Sequence, residues 1–309
     1  MNEPNRPPPV HLRLSVTDRC NLRCFYCMPP RGVPEVPHHR LLSLEELGFL
    51  SGVIHRALNL EKIRITGGEP LVRRGVAALL PMLPGVPDLA MTTNGVLLCE
   101  MAAELARAGL SRVNISLDSL DDSVLRRITR RDVTLSMVEN AVKSALHNGL
   151  APVKINCVAL RGVNDGELGR IAEWGAGLGA HVRFIEHMPR AVPKAGGETV
   201  LRDEIAALAG GGKPLGREGT EETWVRSDGV RFGIIAPVSG HLCRTCRRVR
   251  LTAQGMFLPC LSGVGAEDLK APLHAGASPE ELARLVISAT ERKPERGFCH
   301  SLPMWRIGG

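Results

Sequence analysis

The order of elements along the chain predicts an α/β fold, an incomplete (β/α)6 barrel of the TIM type followed by a smaller C-terminal region. Three observations carry this. From Leu12 to about Glu186, short apolar runs alternate with helical stretches, the rhythm of parallel strands joined by crossover helices. Six such units are present, which makes an open barrel, since the closed form needs eight. After Glu186 the rhythm breaks into a loop, a hairpin and a second group of cysteines.

The expected strands are Leu12–Thr17, Lys62–Thr66, Asp88–Thr92, Arg112–Leu117, Val153–Leu160 and His181–Ile185. The expected helices are Leu44–Ala57, Val72–Leu83, Leu97–Ala108, Leu135–Asn148 and Glu167–Leu178. Ser43, with Glu45 and Glu46 behind it, reads as an N-cap, and so does Asp165 before Glu167. Gly109, Gly149 and Gly179 stand where helices should stop. In barrels of this kind the chemistry sits at the C-terminal strand ends. The cysteine loop after Leu12–Thr17, Gly67-Gly68-Glu69-Pro70, Thr92-Thr93-Asn94-Gly95 and Ser116-Leu117-Asp118-Ser119 all fall there. Asp118 reads either as support for a ligand loop or as a cap of the following turn. Beyond Glu186, Pro189–Gly197 reads as a loop, Thr199–Leu208 as a helix and Trp224–Val225 with Val230–Ala236 as a hairpin, and a last helix falls near Pro279–Glu291. We expect a division into 1–220, the partial barrel, and 221–309, an auxiliary region.

The 309 residues are 44% apolar but only 3% aromatic, so Leu, Val, Ile and Ala must fill the core. A net charge of +7 suits anionic ligands without pointing to nucleic acid. The arginine knot at Arg126, Arg127, Arg130 and Arg131 has no aromatic interleaving and reads as a solvated helix end. No apolar run reaches membrane-spanning length. Met1–Pro9 is polar and proline-rich, unlike a signal peptide. Nine cysteines then point to metal binding in a reducing, cytoplasmic setting.

Cys20-Asn-Leu-Arg-Cys24-Phe-Tyr-Cys27 packs three thiols into eight residues. Three thiolates are one short of the sets that hold ordinary iron–sulfur clusters. They can hold three irons of a 4Fe–4S cluster and leave the fourth open to a small molecule. The alternative is a zinc site completed by His38 or His39. Cys243, Cys246 and Cys260 form a second three-thiol group. It reads as a second cluster, or as a zinc site completed by His241 or Cys299. Arg244, Arg247, Arg248 and Arg250 lie among its cysteines, and guanidinium forks suit a polyphosphate or purine. Cys99, Cys157 and Cys299 match no motif. Cys157 reads as a small core residue and Trp174, Trp224 and Trp305 as packing residues.

The first cysteine spacing, with Tyr26 before Cys27, resembles the radical S-adenosylmethionine (SAM) enzymes, and Gly67–Pro70 resembles their segment that contacts the SAM amino group. The whole set resembles one branch, the GTP 3′,8-cyclase family that begins molybdenum-cofactor synthesis. The matching pieces are Leu12–Cys20, Lys62–Pro70, Thr92–Gly95, Asn114–Leu120, Val153–Asn156, Val182–Glu186 with Met188, the second cysteine group, Arg248–Thr252, Pro259–Leu261 and the terminal Gly308-Gly309. The resemblance implies that Cys20, Cys24 and Cys27 hold the SAM cluster and Cys243, Cys246 and Cys260 a second 4Fe–4S cluster. It places Tyr26, Gly68, Ser116 and Met188 on SAM. It places Arg13, Arg64, Thr92, Lys154, Arg183, Arg248, Val249 and Arg250 on GTP, and brings Gly308 and Gly309 into the active site. The implied reaction uses a 5′-deoxyadenosyl radical to take hydrogen from C3′ of GTP, and C3′ then joins C8. The implied partners are an electron donor of flavodoxin or ferredoxin type, a downstream cyclic pyranopterin monophosphate synthase and a second copy in a homodimer. His241, Arg247, Gln254 and Leu258 depart from the family's pattern. Two alternatives stand beside this reading: a radical SAM enzyme acting on another nucleotide or a peptide, and a non-catalytic zinc-binding interaction protein.

Overall fold

The computed structural model describes residues 10–34, 36–188, 199–240, 242–243 and 246–295. The expectations for Pro189–Gly197, His241, Cys299, Trp305 and the tail Gly308-Gly309 lie outside these residues.

The strands are β1 (Val10–Ser15), β2 (Leu60–Thr66), β3 (Asp88–Thr93), β4 (Arg112–Ser116), β5 (Lys154–Ala159), β6 (His181–Glu186), β7 (Lys213–Glu218), β8 (Glu221–Val225), β9 (Arg231–Ile235), β10 (Arg248–Leu251), β11 (Met256–Leu258) and β12 (Glu267–Asp268). Strands β1 to β6 stand in sequence order, each parallel to the next. This is the expected incomplete barrel. The later strands extend it at both edges. β10 runs parallel to β1, and β11 and β12 follow it outward. β9 runs parallel to β6, with β8 and β7 beyond it. The C-terminal chain therefore flanks the six-stranded core on two sides, and position 220/221 falls in the turn between β7 and β8.

The helices are α1 (Leu44–Leu58), α2 (Val76–Leu79), α3 (Leu98–Arg107), α4 (Asp122–Thr129), α5 (Leu135–His147), α6 (Leu168–Gly177), α7 (Arg202–Leu208), α8 (Lys270–His274) and α9 (Pro279–Glu291). Ser43 caps α1 through a full capping box with Glu46. Three expectations need correction. Val72–Leu83 is not one helix. Gly75 sits in the left-handed region at φ 75° and Pro81 opens a 3-10 turn, which leaves only the short α2. Asp165 does not cap α6. It opens a 3-10 turn, and Glu167 instead accepts from Ser119 Oγ at 2.7 Å and Leu120 N at 2.9 Å. The arginine knot is not wholly solvated. Arg130 closes α4 in a left-handed conformation and its Nη1 donates to the Met28 carbonyl at 3.1 Å.

Side-chain alternation sorts the sheet into two faces. Leu12, Leu14, Ile63, Ile65, Met91, Val113, Ile115, Ile155, Val182 and Phe184 point toward the helices and are fully buried. Cys157 joins them, as expected for a small core residue. Trp224 stacks on Phe232 and has the Arg202 guanidinium 5.3 Å from its ring centroid, a packing role. Among the described residues, no helix is long and apolar enough to cross a membrane.

Candidate active site

The first cysteine loop leaves the C-terminal end of β1 and is tied down from three directions. Arg23 N donates to Thr129 O at 2.9 Å and Phe25 N to Ile128 O at 3.0 Å, so the loop caps the last carbonyls of α4. The Tyr26 hydroxyl donates to Asp118 Oδ2 at 2.7 Å. Asp118 in turn accepts from Val158 N at 2.8 Å. This settles the two readings of Asp118 in favour of support for the loop. Asn164 completes the brace, donating to the carbonyls of Asp118 and Val158 at 2.6 and 2.9 Å. Burial raises the Asp118 carboxyl to about 6, against the pull of its two hydrogen bonds.

Glu69 holds the neighbouring strand ends. It is 1% exposed and accepts from Leu71 N, Thr93 Oγ1 and Asn94 N, at 3.0, 2.7 and 2.7 Å. Burial lifts its pKa to about 7. Asn94 passes the tie to the cysteine loop, donating to Asn21 Oδ1 at 2.7 Å. Gly68 lies where a Cβ would come within 2.3 Å of the Arg19 carbonyl. Only glycine lets this turn dock on the entry to the cysteine loop, where Glu69 N meets Arg19 O at 2.8 Å.

The three thiols of this loop are free and only partly buried. Burial raises Cys20 to about 11, Cys27 to about 12, and Cys24 as well. Three thiols within one braced loop, near enough to raise one another's pKa and beside the docked Gly68 turn, fit the donor set of a cluster that displaces the thiol protons.

The other sheet face is cationic. Register places Arg250, Arg13 and Arg64 side by side across β10, β1 and β2. Arg112 stands in register with them beyond Ala90 of β3, while Lys154 lies on the same face of β5 opposite Asn114 and Arg183 on β6 opposite Asn156. Burial, with the neighbouring charges of Arg250, Arg64, Arg248 and Arg183, pushes Arg13 well down. Burial and nearby arginines bring Arg64 and Arg250 to about 9. A buried group of mutually repelling cations is a site that gains from a polyanion. Two carboxylates order its rim. Asp88 takes Arg112 bidentately at 2.8 and 2.6 Å. Glu221 takes Lys154 at 3.2 Å, Arg183 at 3.5 Å and His181 at 2.5 Å. Burial opposes ionisation of Glu221, but these partners hold it at about 2. Arg183 also donates to Asn156 and Asn114, at 2.6 and 2.9 Å. Thr92 lies on the same face, its Oγ1 accepting from Asn114 Nδ2 at 3.3 Å. Val249 turns its side chain to the opposite face, where it is 2% exposed and packs in the core, so only its backbone stands between the two arginines.

The second cysteine group opens into the end of this face. One cavity is lined by Cys243, Cys246 and Cys260 together with Arg248, Arg250 and Lys293. Glu186 secures its approach, since both its oxygens accept from the Val238–Ser239 turn ahead of Cys243. Burial works against ionisation of Cys246, yet the charges of Arg248 and Lys293 lower its thiol pKa. Three sulfurs beside two guanidiniums fit a second cluster next to an anionic ligand. Met188 lines the same cavity, and its neighbour His187 meets the Tyr26 ring edge-on at 6.1 Å. The end of β6 thus bridges the two cysteine groups. Ser116, Gly68 and the first loop share that end of the sheet, at the ends of β4, β2 and β1.

Asn164, Glu221, His187 and Lys293 escaped the sequence reading. Strand alternation was the available signal for Arg112 and Asn156, which fall in phase with Asn114 and Lys154. Of the departures, Leu258 is buried opposite Arg250 in β11. Arg247 and Gln254 are exposed, Gln254 in the turn between β10 and β11.

Comparison with known proteins agrees with this geometry. The Radical SAM superfamily profile matches residues 14–175 and that of Molybdenum Cofactor Synthesis C matches residues 180–299. The GTP 3′,8-cyclase of Desulforamulus reducens is 43% identical over 97% of this chain and 97% of its own. That of Moorella thermoacetica is 41% identical, with the same coverage of both chains. Among solved structures, Streptococcus suis SuiB bound to S-adenosylmethionine superposes with a TM-score of 0.59 at 12% identity, over 90% of this chain and 68% of that one. It shares the fold. The chain belongs to the radical SAM superfamily and, within it, to the GTP 3′,8-cyclase family.

Proposed function

We propose that this chain converts GTP to 3′,8-cyclo-7,8-dihydro-GTP, the first step of molybdenum-cofactor biosynthesis. The observation that supports this most is the meeting of a buried cationic sheet face with a second three-thiol cavity, whose wall residue Met188 follows the His187 that packs on Tyr26 of the first cysteine loop. Cys20, Cys24 and Cys27 would hold the SAM cluster, and Cys243, Cys246 and Cys260 the second one. When bound, the first cluster and SAM supply a 5′-deoxyadenosyl radical. The protein supplies position. Gly68, Ser116, Met188 and the Tyr26–Asp118 pair shape the SAM end. Arg13, Arg64, Arg248 and Arg250 take the triphosphate charge, while Thr92, Lys154 and Arg183 orient the nucleoside from a face ordered by Glu221. Hydrogen abstraction needs the reacting atoms held at roughly 3–3.5 Å, so this rigid cationic seat is the chain's main contribution. Gly308 and Gly309 would enter the same cavity.

In this reading residues 1–220 carry SAM and residues 221–309 carry the second cluster and the far end of GTP. The enzyme works in the cytoplasm as a homodimer, receives electrons from a flavodoxin or ferredoxin, and passes its product to a cyclic pyranopterin monophosphate synthase. The test is anaerobic reconstitution with iron and sulfide, then SAM, GTP and dithionite, with products read by mass spectrometry. 5′-Deoxyadenosine rising together with a GTP-derived product of the same mass as GTP, separated from it by chromatography, is the expected result, because the hydrogen lost from C3′ is offset by the electron and proton that quench the product radical. 5′-Deoxyadenosine without any GTP product would remove GTP as substrate.

A further inference from the structure

We propose that Lys293 is a positioning residue of the second cluster: it clamps the Cys246–Arg248 segment and sets a cation against one of the three sulfurs. The proposal rests on the second-cluster reading above. Lys293 follows α9 and lines the cavity with the three cysteines. Its Nζ donates to the carbonyls of Cys246 at 2.8 Å and Arg248 at 2.9 Å, and lies 3.9 Å from Cys246 Sγ. An ammonium has three donors and no acceptor. All three are directed at this segment, and Lys293 shares the Cys246 thiol with the Arg248 guanidinium.

The geometry has two consequences. The two carbonyls flank Arg247, so one cation fixes the strand entry where the thiol of Cys246 and the guanidinium of Arg248 both turn into the cavity. The contact to Sγ places positive charge beside a group that bears negative charge whenever three thiolates hold a cluster. Hydrogen bonds to sulfur and local charge set the potential of such a cluster. Lys293 therefore raises the second cluster's reduction potential as well as holding its loop.

The test uses the full chain with Cys20, Cys24 and Cys27 replaced by Ala, so that only the second cluster is read. Lys293→Met, Lys293→Gln and Lys293→Arg are reconstituted anaerobically. Iron and labile sulfide, the electron paramagnetic resonance signal of the reduced cluster and its midpoint potential are then measured. Lys293→Met is expected to lose iron severalfold faster to a chelator. Lys293→Gln keeps a donor for a carbonyl without the charge, and is expected to shift the midpoint to more negative values. Lys293→Arg restores the charge and is expected to return the midpoint toward that of Lys293. Iron retention and midpoint unchanged in both neutral variants would overturn the proposal alone. A Lys293 chain that takes up no iron in this background would overturn the second-cluster reading, and the proposal with it.

Discussion

The two cysteine groups have three thiols each but differ in the balance of charge around them, even though Arg130 also holds the first loop at Met28 and Glu186 also holds the turn ahead of the second. Around the first, the supports are buried carboxylates and amides: Asp118 on Tyr26, and Glu69 through Asn94 on Asn21. Around the second, they are cations: Lys293 on the backbone of Cys246, with Arg248 and Arg250 in the cavity wall. Burial is the main cause that raises Cys20, Cys24 and Cys27, with Glu69 adding to it at Cys20 and Asp118 at Cys24, while at Cys246 the cations outweigh burial and lower the thiol. An acidic frame suits a ligand that brings its own positive charge, such as a sulfonium with an ammonium. A basic frame suits one that brings phosphates. The charge of the brace thus separates two sites that their cysteine count does not.

The contrast can be broken most completely by removing the second thiols. Cys246→Ala combined with Cys260→Ala should abolish GTP conversion while SAM cleavage to 5′-deoxyadenosine persists, read by iron analysis and mass spectrometry. Loss of both activities would show that the two sites are not separable. A smaller effect is expected from the basic frame alone. Arg250→Ala should leave iron content intact and weaken GTP binding by about 2 kcal/mol or more, roughly thirtyfold in Kd. Titration calorimetry checks this, and an unchanged Kd would remove Arg250 from the substrate site.

Asp118→Ala tests the acidic frame. It leaves the Tyr26 hydroxyl and Val158 N without their acceptor, a loss of about 1–3 kcal/mol. SAM affinity and first-cluster iron should fall while second-cluster iron stays, and the reverse pattern would contradict the assignment. Glu221 offers a pH test. Its folded pKa, about 2, lies below the ordinary carboxylate value, so it stabilises the fold above that ordinary value and the contribution is lost as pH falls toward 2. Glu221→Gln should therefore flatten the acid limb of thermal stability below about pH 4.3, and an unaltered limb would count against the Lys154–Arg183–Glu221 cluster. The smallest effect belongs to Gln254→Ala, in an exposed turn, which should change neither GTP affinity nor product yield.

The six parallel strands were legible because each combines an apolar stripe with a bounding turn. The exceptions have local causes. The stretch after Pro70 broke because Gly75 takes a left-handed conformation. Helix α4 was legible only at its basic end, since its apolar face is limited to Leu125 and Ile128. Among the site residues, cysteines and strand-end glycines announce themselves by spacing. Glu221 and Lys293 do not, because each acts on groups far away in sequence: Lys154 and Arg183 for one, Cys246 and Arg248 for the other.

What the sequence determined by itself was the alternation of strand and helix, the two three-thiol groups and the family to which their order belongs. These are local properties, written in spacing, periodicity and residue type. Only the tertiary structure decided that β9 and β10 extend the sheet at opposite edges, that Arg13, Arg64 and Arg250 stand in one row, and that His187 and Met188 join the two cysteine groups. The physical reason is register. Which side chains share a face depends on hydrogen-bond pairing between strands far apart in the chain, and a slip of one residue would turn every arginine to the other side.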